Sequence, residues 1–141
     1  MYGFKCCPGA SRGARAAAGA GAEDDVQTIL VVDDEAQLRE LVAGVLADPD
    51  HRVLTAADGY EALRILERQP VDLLLTDVKM PGLNGFELAR QARFMHPRMH
   101  VIYVSGYHTQ PADGRVLMKP VRLAELVAEV ALELRLSSLQ R

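Results

Sequence analysis

At 141 residues, 49% of them hydrophobic, the chain is long enough to bury one sizeable core. A net charge of −3 gives no reason to expect broad nucleic-acid binding, and no apolar stretch is long enough to span a membrane. Only two cysteines occur, the adjacent Cys6 and Cys7, so neither a disulfide framework nor a cysteine-based metal site is expected.

Residues 1–26 are rich in Ala, Gly and Arg and lack apolar periodicity, so they read as a disordered N-terminal extension. No continuous apolar core follows the early charges, which argues against a secretory signal. Gly19-Ala20-Gly21-Ala22 precedes the first strand instead of following one, so it is not a dinucleotide-binding loop. The first strand is expected at 28–32, where Thr28-Ile29-Leu30-Val31-Val32 stops at Asp33-Asp34. A helix follows over 35–47, with Leu38, Leu41, Val42, Val45 and Leu46 at helical spacing on one face. A short strand at 52–55 leads to a second helix, opened by the capping-box spacing of Asp58-Gly59-Tyr60-Glu61 and running to Arg68.

The third strand, at 72–76, is built on the apolar run Leu73-Leu74-Leu75 and leads into Asp77, with a Pro81-Gly82 turn just beyond. Asn84-Gly85-Phe86-Glu87 repeats the cap pattern and starts a helix to Phe94. The fourth strand, at 100–104, stops at Ser105-Gly106, and the fifth, at 115–118, stops at Lys119-Pro120. The last helix covers 122–136, with Leu123, Leu126, Val127, Val130, Ala131 and Leu134 as its apolar stripe, and leaves 137–141 as a C-terminal tail. Short apolar strands alternating with helices imply βαβ units, hence an α/β, doubly wound, five-stranded parallel sheet with helices on both faces. Only 13 residues, Pro111 and Gly114 among them, separate Ser105 from Lys119, so the fourth crossover has room for a loop or a single helical turn.

Ligands bind outside the carboxyl ends of strands in such sheets. There the strands deliver Asp33-Asp34, Asp77, Ser105 and Lys119 to one edge. Three carboxylates together repel one another unless a cation joins them, and hard oxygen donors suit Mg²⁺, with Mn²⁺ able to replace it. Asp34 and Asp77 are the expected direct ligands, with Asp33 acting through water or positioning its neighbour. The alternative for Asp33 or Asp34 is simply to cap the first helix. A carboxylate beside Mg²⁺ and a fixed ammonium can attack phosphorus to form an acyl phosphate on Asp77. Lys119 can hold a phosphate oxygen as a point charge, with the rigid turn of Pro120, cis or trans, behind it. Ser105 offers a hydroxyl to another oxygen, or else serves only as a turn former.

Val31-Val32-Asp33-Asp34-Glu35, Thr76 to Gly85, Val104-Ser105-Gly106-Tyr107 and Lys119-Pro120, in that order at strand ends, resemble a two-component response-regulator receiver domain over residues 27–136. The resemblance implies the flavodoxin-like fold of the chemotaxis protein CheY, strand order 2-1-3-4-5. It implies Asp77 as phosphoacceptor, Asp33 and Asp34 as the acidic Mg²⁺ pair, the main-chain carbonyl of Lys79 as a further ligand, and Ser105 and Lys119 as the hydroxyl and lysine of the switch. The implied donor is a phosphohistidine on a sensor histidine kinase or a histidine phosphotransfer protein. Docking is expected near Leu38 and Val121, although Leu38 serves equally well as core. Lys79 and Tyr107 flank the site at positions that influence acyl-phosphate lifetime in this family, and a bulky Tyr107 would shield it from water.

Two departures from the family pattern stand out. The position three before the lysine, usually aromatic, is Val116, so the aromatic flip is absent or supplied by Tyr103 or Tyr107. The fourth helix is short or absent, which predicts weak or altered dimerisation through that face. Only Ser137 to Arg141 follow the last helix, so no effector is expected there, and Lys5, Arg12 and Arg15 are too few for a nucleic-acid arm. The expected protein is therefore a cytoplasmic single-domain response regulator. It would act on an unknown protein target, relay phosphate, or drain it, with no conventional enzyme activity beyond self-catalysed phosphoryl transfer and hydrolysis. A phosphate-independent degenerate receiver is the alternative. An Asp-nucleophile phosphatase is more remote, because Lys79 stands where those enzymes place their second Asp.

Overall fold

The computed structural model describes residues 26–107 and 114–139. The expected extension, apart from Val26, falls outside the described residues, as do 108–113 and the last two residues. The elements run β1 (Gln27–Val32), α1 (Ala36–Leu46), β2 (His51–Ala56), α2 (Gly59–Arg68), β3 (Leu73–Asp77), α3 (Gly85–Met95), β4 (His100–Ser105), β5 (Arg115–Met118) and α4 (Leu123–Leu139). The five strands are all parallel, in the order β2-β1-β3-β4-β5. Among the described residues no helix lies between β4 and β5.

Side-chain alternation along the strands sorts the core into two layers. Leu30, Val32, Leu74, Val101 and Tyr103 point to one face and meet Ala62 and Leu66 of α2 and Leu88 and Ala92 of α3. Ile29, Val31, Leu73, Leu75 and Ile102 point to the other and meet Val42 and Leu46 of α1 and Leu126, Val130 and Leu134 of α4. Burial on both faces explains why β1 and β3 read as unbroken apolar runs.

Two helical stripes are narrower than their spacing suggests. Leu41 and Val45 of α1 are exposed at 51% and 36%, and Leu123 and Val127 of α4 at 38% each. Each helix touches the sheet along one line, and residues on the flanks of its apolar arc overhang into solvent. Helix α4 also continues three residues past its expected end, with Ser137 buried one turn beyond Leu134. Neither Gly nor Pro occurs after Pro120 to stop it.

The far end of α4 is tied to the amino-terminal edge of the sheet by polar groups. Gln27 Nε2 donates to the carbonyl of Leu134 at 2.8 Å, and His100 Nδ1 lies 2.8 Å from Glu133 Oε1. Arg115 Nε lies 3.0 Å from Glu129 Oε1. On the α2/α3 side of β4, Tyr103 is buried and packs on Phe86 with ring centroids 5.0 Å apart. Gly114, at φ +88°, lies over that ring; a Cβ there would come within 2.8 Å of Tyr103 Cε2.

Candidate functional site

Parallel pairing aligns Val32 with Thr76 and Asp77 with Val104, so the polar residues ending β1, β3 and β4 emerge side by side. Lys119 joins them because its N–H donates to the Ser105 carbonyl at 2.7 Å, extending the β4–β5 ladder past Met118. The Lys119–Pro120 peptide bond is cis.

Asp77 is the last residue of β3 and is buried. Its main chain is held on both sides. The Thr76 hydroxyl donates to its carbonyl at 2.9 Å, and the next N–H, of Val78, donates to Val104 at 3.0 Å. The turn beyond uses Gly82 at φ +78°, where a side chain would be strained. Gly85 then returns the chain, its N–H donating to the Val78 carbonyl at 2.8 Å, and Asn84 caps α3 by accepting from Glu87 N–H. The matching cap on α2, Asp58 to Glu61 N–H, is also formed, and Glu61 Oε1 accepts in turn from Ala57 N–H at 2.7 Å.

Lys119 Nζ lies 3.1 Å from one oxygen of Asp77 and 3.2 Å from the other. Asp33, Asp34 and Asp77 each offer a carboxylate oxygen, and these atoms all lie within 4.8 Å of one another. Burial pushes the Asp33 carboxyl above its usual range, and the charges of Asp77 and Asp34 add to that effect. The Glu35 N–H and the Lys119 ammonium oppose it. The expectation that Asp33 or Asp34 merely caps α1 does not match the structure. The N-cap is Glu35, and no side chain caps that helix end. Asp33 Oδ1 instead accepts from Glu35 N–H at 3.0 Å, a local turn that leaves its second oxygen to the cluster. Three hard oxygen donors from two strand ends, all within 4.8 Å of one another, fit a hexacoordinate dication such as Mg²⁺.

The family model for the response regulator receiver domain matches residues 29–131. The chain belongs to that family. It is 31% identical over 113 residues to the response regulator receiver protein CpdR of Brucella abortus, spanning 74% of this chain and 94% of that protein. It is 37% identical over 113 residues to the sensor kinase CckA of the same organism, spanning 73% of this chain but 12% of the kinase. Among solved structures, a CheY-like receiver domain protein of Methanospirillum hungatei JF-1 superimposes with a TM-score of 0.76 at 27% identity, covering 82% of this chain and 99% of that one.

Within this receiver domain, Ser105 is buried at the end of β4. Its hydroxyl donates to the Tyr107 carbonyl at 2.7 Å and accepts from the Tyr107 N–H at 3.1 Å, so in this state it forms the strand-end turn. Tyr107 itself is half-exposed. Lys79 is exposed two residues beyond Asp77. A cleft of about 560 Å³ opens beside Asp77 and Lys119 and runs between α1 and the start of α4, where Leu38, Val42, Val121 and Leu126 line it.

The sequence reading missed two neighbours of the site. Arg39 Nη1 donates to the main-chain oxygen of Asp33 at 2.8 Å. The Tyr60 ring covers Gly82, with Cε2 3.1 Å from where a Cβ would stand. Arg39 had a signal, since it lies one helical turn beyond Glu35 and so above the Asp33-Asp34 turn. Tyr60 had none, because its contact depends on how two loops meet. No helix among the described residues is long and apolar enough to cross a membrane.

Proposed function

We propose that this receiver domain takes a phosphoryl group onto Asp77 in a Mg²⁺-dependent reaction. The observation that supports this most is the setting of Asp77: a buried carboxylate, bridged on both oxygens by Lys119 and clustered with Asp33 and Asp34. Asp33, Asp34, Asp77 and the main-chain carbonyl of Lys79 would hold the cation. When bound, Mg²⁺ neutralises charge on the incoming phosphoryl oxygens.

The chain's own residues supply the rest. One Asp77 oxygen attacks phosphorus; the bond from phosphorus to the donor's imidazole nitrogen breaks, and its electron pair stays on that nitrogen. Lys119 gives up one of its two carboxylate contacts and takes a phosphoryl oxygen instead. Ser105 leaves the Tyr107 turn to donate to another, which carries the charge change into the β4–β5 loop. The donor is a phosphohistidine on a sensor histidine kinase or a phosphotransfer protein. Its helix would seat against the apolar cleft formed by Leu38 and Val121 beside the acidic edge. The setting is the cytoplasm, and the output is a protein contact, phosphate relay or phosphate drain.

Intact mass after incubation with a small phosphodonor tests the reading. Wild type with Mg²⁺ gains one phosphoryl group, while Asp77→Asn and EDTA-treated wild type gain none. Folded, Mg²⁺-treated protein that takes no phosphate from either a small donor or a panel of phosphorylated histidine proteins would favour the phosphate-independent binding module. Val116 and the crossover without a described helix are the features that module would explain.

A further inference from the structure

Arg39 lies in the first turn of α1, half-buried. A cation there works against the helix dipole, so local helix stability gives no reason for it. Its guanidinium is spent on the main-chain carbonyl of Asp33 at 2.8 Å, the oxygen of the peptide that joins Asp33 to Asp34. Two further bonds hold the same residue. Asp33 N–H donates to Ala56 at 3.2 Å, and its Oδ1 accepts from Glu35 N–H at 3.0 Å. The first fixes the Asp33 side of the linkage, the second closes a turn around the Asp33–Asp34 peptide, and Arg39 is the one among them that holds that peptide's own oxygen. Rotation of that peptide's plane would swing the exposed Asp34 away from Asp33 and Asp77, and the three carboxylates would no longer lie within 4.8 Å.

We propose that Arg39 is a positioning residue for the divalent-cation site. It touches neither the cation nor the phosphoryl group, and holds the Asp33–Asp34 peptide in the orientation that aims both carboxylates at the cation. The inference rests on the reading of the acidic cluster as a cation site and adds to it a determinant of affinity outside the cluster. Arginine suits the task because its charge is permanent and its fork is rigid; lysine keeps the charge and one donor, and methionine keeps only the apolar stem.

Binding of Mn²⁺, followed by loss of the free-ion signal in electron paramagnetic resonance, is measured for wild type, Arg39→Lys and Arg39→Met. Thermal unfolding in EDTA runs alongside. Groups that orient metal ligands typically contribute 10–100-fold in affinity, so Arg39→Met is expected to weaken binding about 10-fold or more, with Arg39→Lys recovering most of it. Melting in EDTA is expected to stay close to wild type, and the rate of phosphorylation at saturating Mg²⁺ to change far less than the Mg²⁺ needed for half-saturation. Wild-type affinity in Arg39→Met overturns the inference and leaves the cation site standing. So does an affinity loss that tracks a lowered melting temperature and is not rescued by lysine. Wild type that binds no Mn²⁺ at all overturns both.

Discussion

The α-carbon of Gly85 faces the main-chain carbonyl of Asp77 across a gap too small for a β-carbon. A Cβ at that position would collide with the Asp77 oxygen, and would lie 2.9 Å from Val78 Cα. The contact exists because the β3–α3 loop doubles back to donate Gly85 N–H to Val78. Gly85→Ala must therefore push the loop off the strand end that carries Asp77, the proposed phosphoacceptor. It is expected to cost about 1–3 kcal/mol by overpacking and to slow phosphorylation at Asp77. Urea denaturation and the rate of mass gain with a small phosphodonor check the two effects. An unchanged unfolding midpoint would refute the steric account.

Removing Lys119 leaves three carboxylates without their cation. Because the Lys119 side chain is 40% exposed, solvent screens much of the pair, and Lys119→Met is expected to cost about 1 kcal/mol in the absence of Mg²⁺. Its effect on chemistry should be larger, since Lys119 is the cation held against both oxygens of Asp77, and Ser105 brings a hydroxyl but no charge. Denaturation in EDTA, compared with phosphorylation at saturating Mg²⁺, separates the two roles.

Asp33 gives the pH dependence a sign. Its folded carboxyl is raised above the ordinary value, chiefly by burial and then by the Asp77 charge. The stability it contributes is thus fully present below the ordinary carboxylate value and is lost as pH rises through the raised one. In EDTA, Asp33→Asn is expected to melt higher than wild type at neutral pH, with the difference fading in acid. Mg²⁺ is expected to raise the melting temperature of wild type at neutral pH by binding only the folded state, and to do so far less in the variant. Thermal melts across pH, with and without Mg²⁺, test both statements.

Tyr103 is the largest fully buried side chain on the α2/α3 side of the sheet among the described residues. It is 2% exposed and is enclosed by Phe86 and the close approach of Gly114. Tyr103→Ala is expected to cost about 3 kcal/mol or more, the range for deleting a buried aromatic ring. Chemical denaturation measures it. Val116→Ala, at a position only partly buried against the same cluster, should cost clearly less.

Most of the site was legible because the residues that form it stand at the ends of apolar runs. Ile29 to Val32 and Leu73 to Leu75 admit no polar side chain, so the carboxylates just beyond, Asp33 and, past Thr76, Asp77, mark the sheet edge. The caps at Asp58 and Asn84 were legible for a similar reason, since side chain and partner N–H lie three residues apart. Features set by distant partners were not. Nothing local distinguishes Leu41 from Val42, and only the line of contact with the sheet exposes one and buries the other.

The short last strand has a consequence for how copies of this domain behave at high concentration. β5 is four residues long and forms one border of the sheet. Gly114 precedes it, and Pro120, which has no N–H, ends the run just past Lys119. A border so brief offers an incoming chain few main-chain groups to pair with, and Arg115 and Lys119 place charge at both of its ends. Growth of the sheet at this border by a sixth strand from a neighbouring molecule is thereby disfavoured, which leaves β2 as the border better suited to pairing.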